Sequence, residues 1–199
     1  MPQKLNFDGR MALAGLLALV HLAGCGIGSN PDPRTIDGMM GYAALAIERD
    51  DPEMLFKVID ERARHALISI VADRQAAAAL IRAHYPAADQ AGALQSLGDA
   101  LDLEDAWQLF AARCDQACRR AWSTELGAVQ TKTADGEEWR VTTTRGAEVR
   151  VYREHEGEWW GLVWRTAELD AERDRANRDL EMIRQNAETY QRREALEHH

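Results

Sequence analysis

Apolar residues recur at helical spacing along most of the chain, and one later stretch alternates instead. From Thr35 to about Arg49, Met39, Tyr42, Ala43, Ala46 and Ile47 predict a first helix. Asp50-Asp51-Pro52 breaks it, with Asp51 suited to cap a helix and Pro52 to open the next one. Leu55, Val58, Ile59, Ala63, Ala66 and Ile70 lie on one face of a second helix, read from Pro52 to near Val71. Arg74 to His84 continues helically until Pro86, and Ala87 to Gly98 reads as a loop with a short helix. Leu103 to Trp122 reads as one further helix, with Trp107, Phe110, Cys114, Ala117, Cys118 and Ala121 turned inward and Gly127 ending it.

The period then drops to two. Val129 to Thr133, Glu138 to Thr144, Ala147 to Glu154 and Trp159 to Thr166 read as strands, separated by turns at Asp135-Gly136, Arg145-Gly146 and Glu156-Gly157. This is an antiparallel meander of three to four strands that helices can cover on one face, so the expected class is α+β. Ala167 to Glu194 reads as a single helix of about 42 Å. Ala176, Leu180, Ile183, Ala187 and Tyr190 follow steps of three and four along it, a coiled-coil-like seam. Two readings of that seam stand side by side: an interface with a partner or a second copy, or a helix lying on its own domain.

Composition narrows the class without naming a substrate. The chain is 46% hydrophobic and 29% charged with a net charge of -9, which fits a folded protein and argues against nucleic acid as partner. It also argues against a polybasic grip on anionic lipid. Leu196-Glu197-His198-His199 reads as the remnant of a purification tag and takes no part in the functional reasoning.

The N-terminus has its own pattern. Lys4 and Arg10 precede the uncharged run Met11 to Val20, which is too short to span a bilayer but fits the apolar core of a signal peptide. Leu22-Ala23-Gly24-Cys25 closes it, and the Gly- and Pro-containing segment from Gly26 to Pro33 follows as a flexible tether. Leu22-Ala23-Gly24-Cys25 resembles the lipobox of bacterial lipoproteins. The resemblance implies cleavage before Cys25, a diacylglyceryl group on its sulfur and a membrane anchor. Residues 1–24 would be the signal peptide, 25–34 the lipidated cysteine and tether, 35–166 the α+β domain and 167–195 the long helix. Gly26, where lipoproteins retained at the inner membrane often carry Asp, favours the outer membrane.

Several helices before a meander also resemble the NTF2-like (SnoaL-like) cone fold, on Asp50-Asp51-Pro52 and Gly157-Glu158-Trp159-Trp160. That resemblance covers about Thr35 to Thr166, leaves out the long terminal helix and transfers no catalytic residue.

Cys114 and Cys118 stand four residues apart. In a regular helix their Cβ atoms are about 5–6 Å apart, against about 3.8 Å in a disulfide, so a bond between them requires the helix to open locally. An intrahelical disulfide, buried thiols, and a metal or redox role stay open. Trp139, Tyr152, Trp160 and Trp164 are read either as core residues of the strands or as the lining of an aromatic pocket for an apolar or sugar-like ligand. Trp159 and Trp160 must point to opposite faces of a regular strand. His65, His84 and His155 lie on separate elements without ligand spacing, and no catalytic, metal or cofactor motif is found. The expected function is a membrane-anchored envelope lipoprotein acting as a non-enzymatic interaction or assembly module. The alternatives are a small-ligand binding module and an enzyme on the cone fold.

Overall fold

The computed structural model describes residues 30–98, 100–101, 103–155 and 158–197. The expected signal peptide, the lipidation site Cys25 and the third turn at Glu156-Gly157 lie outside these residues, as do His198 and His199 of the tag-like ending.

The fold is α+β. Helix α1 (Ile36–Glu48) starts where the Thr35 hydroxyl accepts a hydrogen bond from Gly38 N at 3.0 Å, and Asp50, in the left-handed region, turns the chain out of it. Asp51 caps α2 (Pro52–Phe56) by accepting from Met54 N at 2.8 Å. The single helix expected from Pro52 to Val71 is not formed. The chain leaves α2 at Lys57, pairs briefly with the sheet, and re-enters as α3 (Glu61–His84), which runs unbroken through Arg74. Asp60 makes the break, because its carboxylate caps α3 through Arg62 N and Ala63 N. Helix α4 (Ala87–Gln95) follows Pro86.

The helix expected from Leu103 to Trp122 is also two helices. Helix α5 (Ala106–Arg113) ends at Cys114, whose ψ of 71° is not helical, and Asp115 caps α6 (Gln116–Glu125) by accepting from Cys118 N. Phe110 and Cys114 are buried as expected, but Ala117 and Ala121 are exposed, since the second helix turns away from the inward face of the first.

Strands β1 (Val129–Asp135), β2 (Glu138–Thr143), β3 (Glu148–Arg153) and β4 (Trp160–Leu162) form one antiparallel meander in the order β1-β2-β3-β4. The strand expected from Trp159 to Thr166 is therefore only three residues long. Beyond Leu162 the chain turns into α7 (Thr166–Glu197), longer at both ends than the sequence pattern implies and including Leu196 and Glu197.

The free side of β4 is covered by two other segments. Leu162 N donates to Val58 O, and Asp60 N donates to Leu162 O, both at 2.8 Å, while Trp160 N donates to Pro33 O at 2.9 Å. Gly161 allows this approach, because a Cβ there would sit 2.5 Å from Asp60 Cα. Among the described residues no strand pairs with the outer edge of β1, which carries polar residues, Lys132 and a register irregularity near Val129, features that discourage edge-to-edge pairing.

Helix α7 is not a separate unit. It lies along α3, parallel to it, with partners 105 to 107 residues apart from one end to the other: Asp60 with Thr166, Arg74 with Asp179, and His84 with Gln191. At an offset of 106, Leu169 is level with Ala63, Ala176 with Ile70, and Ile183 with Ala77, a large residue facing a small one each time. All six are buried. Two buried clusters result. The larger joins α1, α2, the first half of α3, α5, the sheet and the start of α7, and the smaller joins Ala77, Ala78, Ile81, Leu97, Leu180 and Ile183.

Candidate functional site

A connected group of charged and hydroxyl-bearing side chains lies where α3, β4 and α7 begin. Asp60 is fully buried. One carboxylate oxygen accepts from Arg62 N, Ala63 N and Arg62 Nε, at 3.0 to 3.3 Å, and the other accepts from Trp164 N and the Thr166 hydroxyl at 3.3 Å. One side chain thus caps α3 and holds the entry to α7. A buried carboxylate is tolerated only with partners of this kind.

Arg62 then crosses the outer face of the sheet. Its guanidinium lies 4.1 Å from the centroid of the Tyr152 ring and donates to Glu138 Oε1 at 2.8 Å. Burial acts to lower the Arg62 pKa, but the hydrogen bonds to Glu138 and Asp60 outweigh it and hold the group above its ordinary value. Glu138 Oε2 is buried without a hydrogen-bond partner. Arg150 Nη2 comes within 2.6 Å of it, an ion-pair contact off the hydrogen-bonding direction. Arg64 pairs with Glu154, and Glu61 accepts from His155 N at 2.9 Å. Burial pushes the Glu154 carboxyl up, against the pull of Arg64. Burial and the nearby Glu61 carboxylate raise the Tyr152 hydroxyl. The charges in this group face one another, so it acts as a clamp between elements.

The four rings expected to line a pocket divide between the two faces of the sheet. Trp139 pairs with Val151 and Arg153 with Trp160, so Trp139, Val151, Trp160 and Leu162 share the face turned to the helices. Trp139 and Trp160 meet edge to face at 6.0 Å, and Trp164 meets Phe110 in the same way at 4.9 Å. Tyr152 is buried on the opposite face under Arg62. Among the described residues these rings pack against core and clamp, and with Tyr152 on the opposite face the four do not line one shared pocket. Trp159, just before β4, is half-buried. Open grooves of about 230 to 480 Å³ occur beside Trp122, under Arg62 and Arg165, and on either side of Tyr85, and none is lined by these four rings.

Cys114 and Cys118 form a disulfide across the break between α5 and α6, their Cα atoms 5.0 Å apart. The local opening of the helix that such a bond requires is present, and Arg119 Nη1 reinforces it by donating to Cys114 O at 2.7 Å. The seam residues Ala176, Leu180, Ile183 and Ala187 are buried on α3 in the same chain, and the Tyr190 ring meets that of Tyr85 at a tilt, centroids 4.9 Å apart. The seam is therefore occupied from within, which corrects its reading as a face open to a second copy.

His65 and His155 are exposed and His84 is half-buried beside Gln191. Among the described residues no group of three His, Cys, Asp or Glu side chains is placed to hold a metal ion, and no helix is long and apolar enough to cross a membrane. Sequence reading missed Asp60, Arg62 and Glu138. Only the Asp60-Glu61 cap signature was available to find the first. No known protein family, curated protein or solved structure matches the chain.

Proposed function

We propose that this chain is an exported bacterial lipoprotein. It is cleaved before Cys25 and held at a membrane by lipid on that sulfur, with the outer membrane favoured by Gly26. Its folded body is a non-enzymatic interaction module. The observation that carries the reading is the Cys114–Cys118 disulfide, built across a helix break with its own aspartate cap. Disulfides persist in oxidising compartments outside the cytoplasm, and the basic start, the apolar run and Leu22-Ala23-Gly24-Cys25 at the N-terminus independently support the same destination. Two features support a non-enzymatic role: the carboxylates of the Asp60 clamp are engaged by arginines and backbone amides, and the strand aromatics pack as core. Partners would then bind the exposed surface, since the α7 seam is already filled.

Fractionation of bacterial cells tests the anchor. The unaltered protein is expected in the membrane pellet, and Cys25→Ser is expected to leave the mature membrane form. Equal membrane recovery of both would overturn the proposal.

A further inference from the structure

We infer that the domain is held with one defined end against the bilayer: Asn30 to Arg34, with Glu158 and Trp159 beside them. The far end of the α3–α7 pair, at Tyr85 and Tyr190, points away. The inference rests on the reading of Cys25 as the lipid anchor and adds which surface meets the lipid.

The first support is that the chain is fixed to the folded body from its first described residues. Pro33 is bonded to Trp160 of β4, and the segment before it lies tightly on α1. A Cβ on Gly38 would fall 1.8 Å from Asp32 O, and one on Gly41 would touch Pro31 at 3.3 Å. Asn30 is itself tied back by Arg49 Nη1 at 3.5 Å. From Pro31 onward the chain belongs to the folded body.

The second support is length. Five residue steps separate Cys25 from Asn30, and even fully extended they reach no more than about 18 Å. The molecule is longer than that leash. Pro33 and Asp60 bond to β4 two residues apart, and α7 begins beside Asp60, so both long helices start at the anchored end. Helix α3 then runs 24 residues, about 36 Å, to the Tyr85–Tyr190 contact.

The third support is charge. The anchored end carries Asp32, Asp37 and Glu158 beside Arg34 and Arg49, and the chain as a whole is at -9. Nothing there draws the flanks of the helices onto anionic lipid, so orientation comes from the short leash.

Energy transfer in vesicles tests this. Cys25 carries the lipid and Cys114 and Cys118 are bonded to each other, so a cysteine added at an exposed site is the one reactive thiol. Arg34→Cys, Glu158→Cys and Glu188→Cys proteins are purified from host membranes and checked by mass for lipid. They are then labelled with a donor dye and reconstituted in phosphatidylcholine vesicles with an acceptor on the headgroup. Strong transfer from positions 34 and 158 and weak transfer from 188 is expected. Inserting about twenty Gly and Ser residues after Ser29 is expected to erase the contrast, because a flexible linker of that length lets the body tumble. Lipidated protein with equal transfer at all three sites, or stronger transfer at 188, would overturn the orientation and leave the anchor standing. Protein without lipid on Cys25 would overturn both.

Discussion

Glu172 and Glu154 are two partly buried carboxylates facing arginines, and their protons respond in opposite directions. At Glu172 the hydrogen bond from Arg113 is the largest influence and lowers the pKa. Its folded-state value lies below the unfolded one of about 4.3, so its contribution is fully present above that pH and is lost as pH falls through the depressed value. At Glu154 burial is the largest influence and raises the pKa. There stability is greatest with the proton on, and it declines as pH rises through the raised value. Arg113→Gln is therefore expected to destabilise the protein near neutral pH, with a penalty that shrinks below about pH 4. Urea midpoints from pH 7 to pH 3 measure it, and a penalty independent of pH would contradict the assignment. Residue roles were only partly legible in the sequence. Asp60 sits between Ile59 and Glu61 in a run with helical periodicity, and four of the groups that define its role lie on distant elements or on its own helix: Trp164, Thr166, Arg62 and, through Arg62, Glu138. The alternation from Ala147 to Glu154 sets Tyr152 on the side opposite Val149 and Val151, and it lies there; that Arg62 of α3 covers it was not legible, because that contact joins segments distant in the chain.

At the scale of elements, the helix pair and the disulfide make separable claims. Leu180 and Ile183 are buried against the second half of α3. Truncating either to alanine is expected to cost about 2–5 kcal/mol in chemical unfolding while leaving the size in light scattering unchanged. Loss of an oligomer without loss of stability would return the seam to an intermolecular role. The bridge between Cys114 and Cys118 closes a five-residue loop. Replacing both cysteines with alanine is expected to cost about 2 kcal/mol, from the lost restriction on the unfolded chain. Reductant should lower the unaltered protein's midpoint and leave the double variant's in place, and an equal response of both would contradict the bond. The positions of helices and strands were largely legible from periodicity, because burial of one face imposes it on the sequence. The two breaks were not. At Asp60 and at Cys114-Asp115 the apolar spacing continues across a point where an aspartate caps a new helix, helped at Asp60 by contacts with the distant β4 segment and at Cys114 by the bond to Cys118.

Across the whole molecule, the sheet, helices α1, α2, α5 and α6 and the start of the helix pair form one end, and the chain enters there through Asn30. The second halves of α3 and α7, with α4, form the other. The body is joined by a parallel helix pair and by one buried carboxylate that holds both helix starts. It carries a disulfide suited to an oxidising compartment, in a chain whose first residues read as an export and lipidation signal. Fold class was accessible from sequence alone, and the proposed address rests on the pattern of the first residues. A partner is not legible in the sequence, because binding through an exposed surface needs no motif of fixed spacing. Intact mass of the protein extracted from its native membrane tests the central claim most directly. A chain beginning at Cys25, carrying the mass of attached acyl groups and two hydrogens lighter for the bond between Cys114 and Cys118, is predicted. An unmodified chain beginning at Met1 would contradict it.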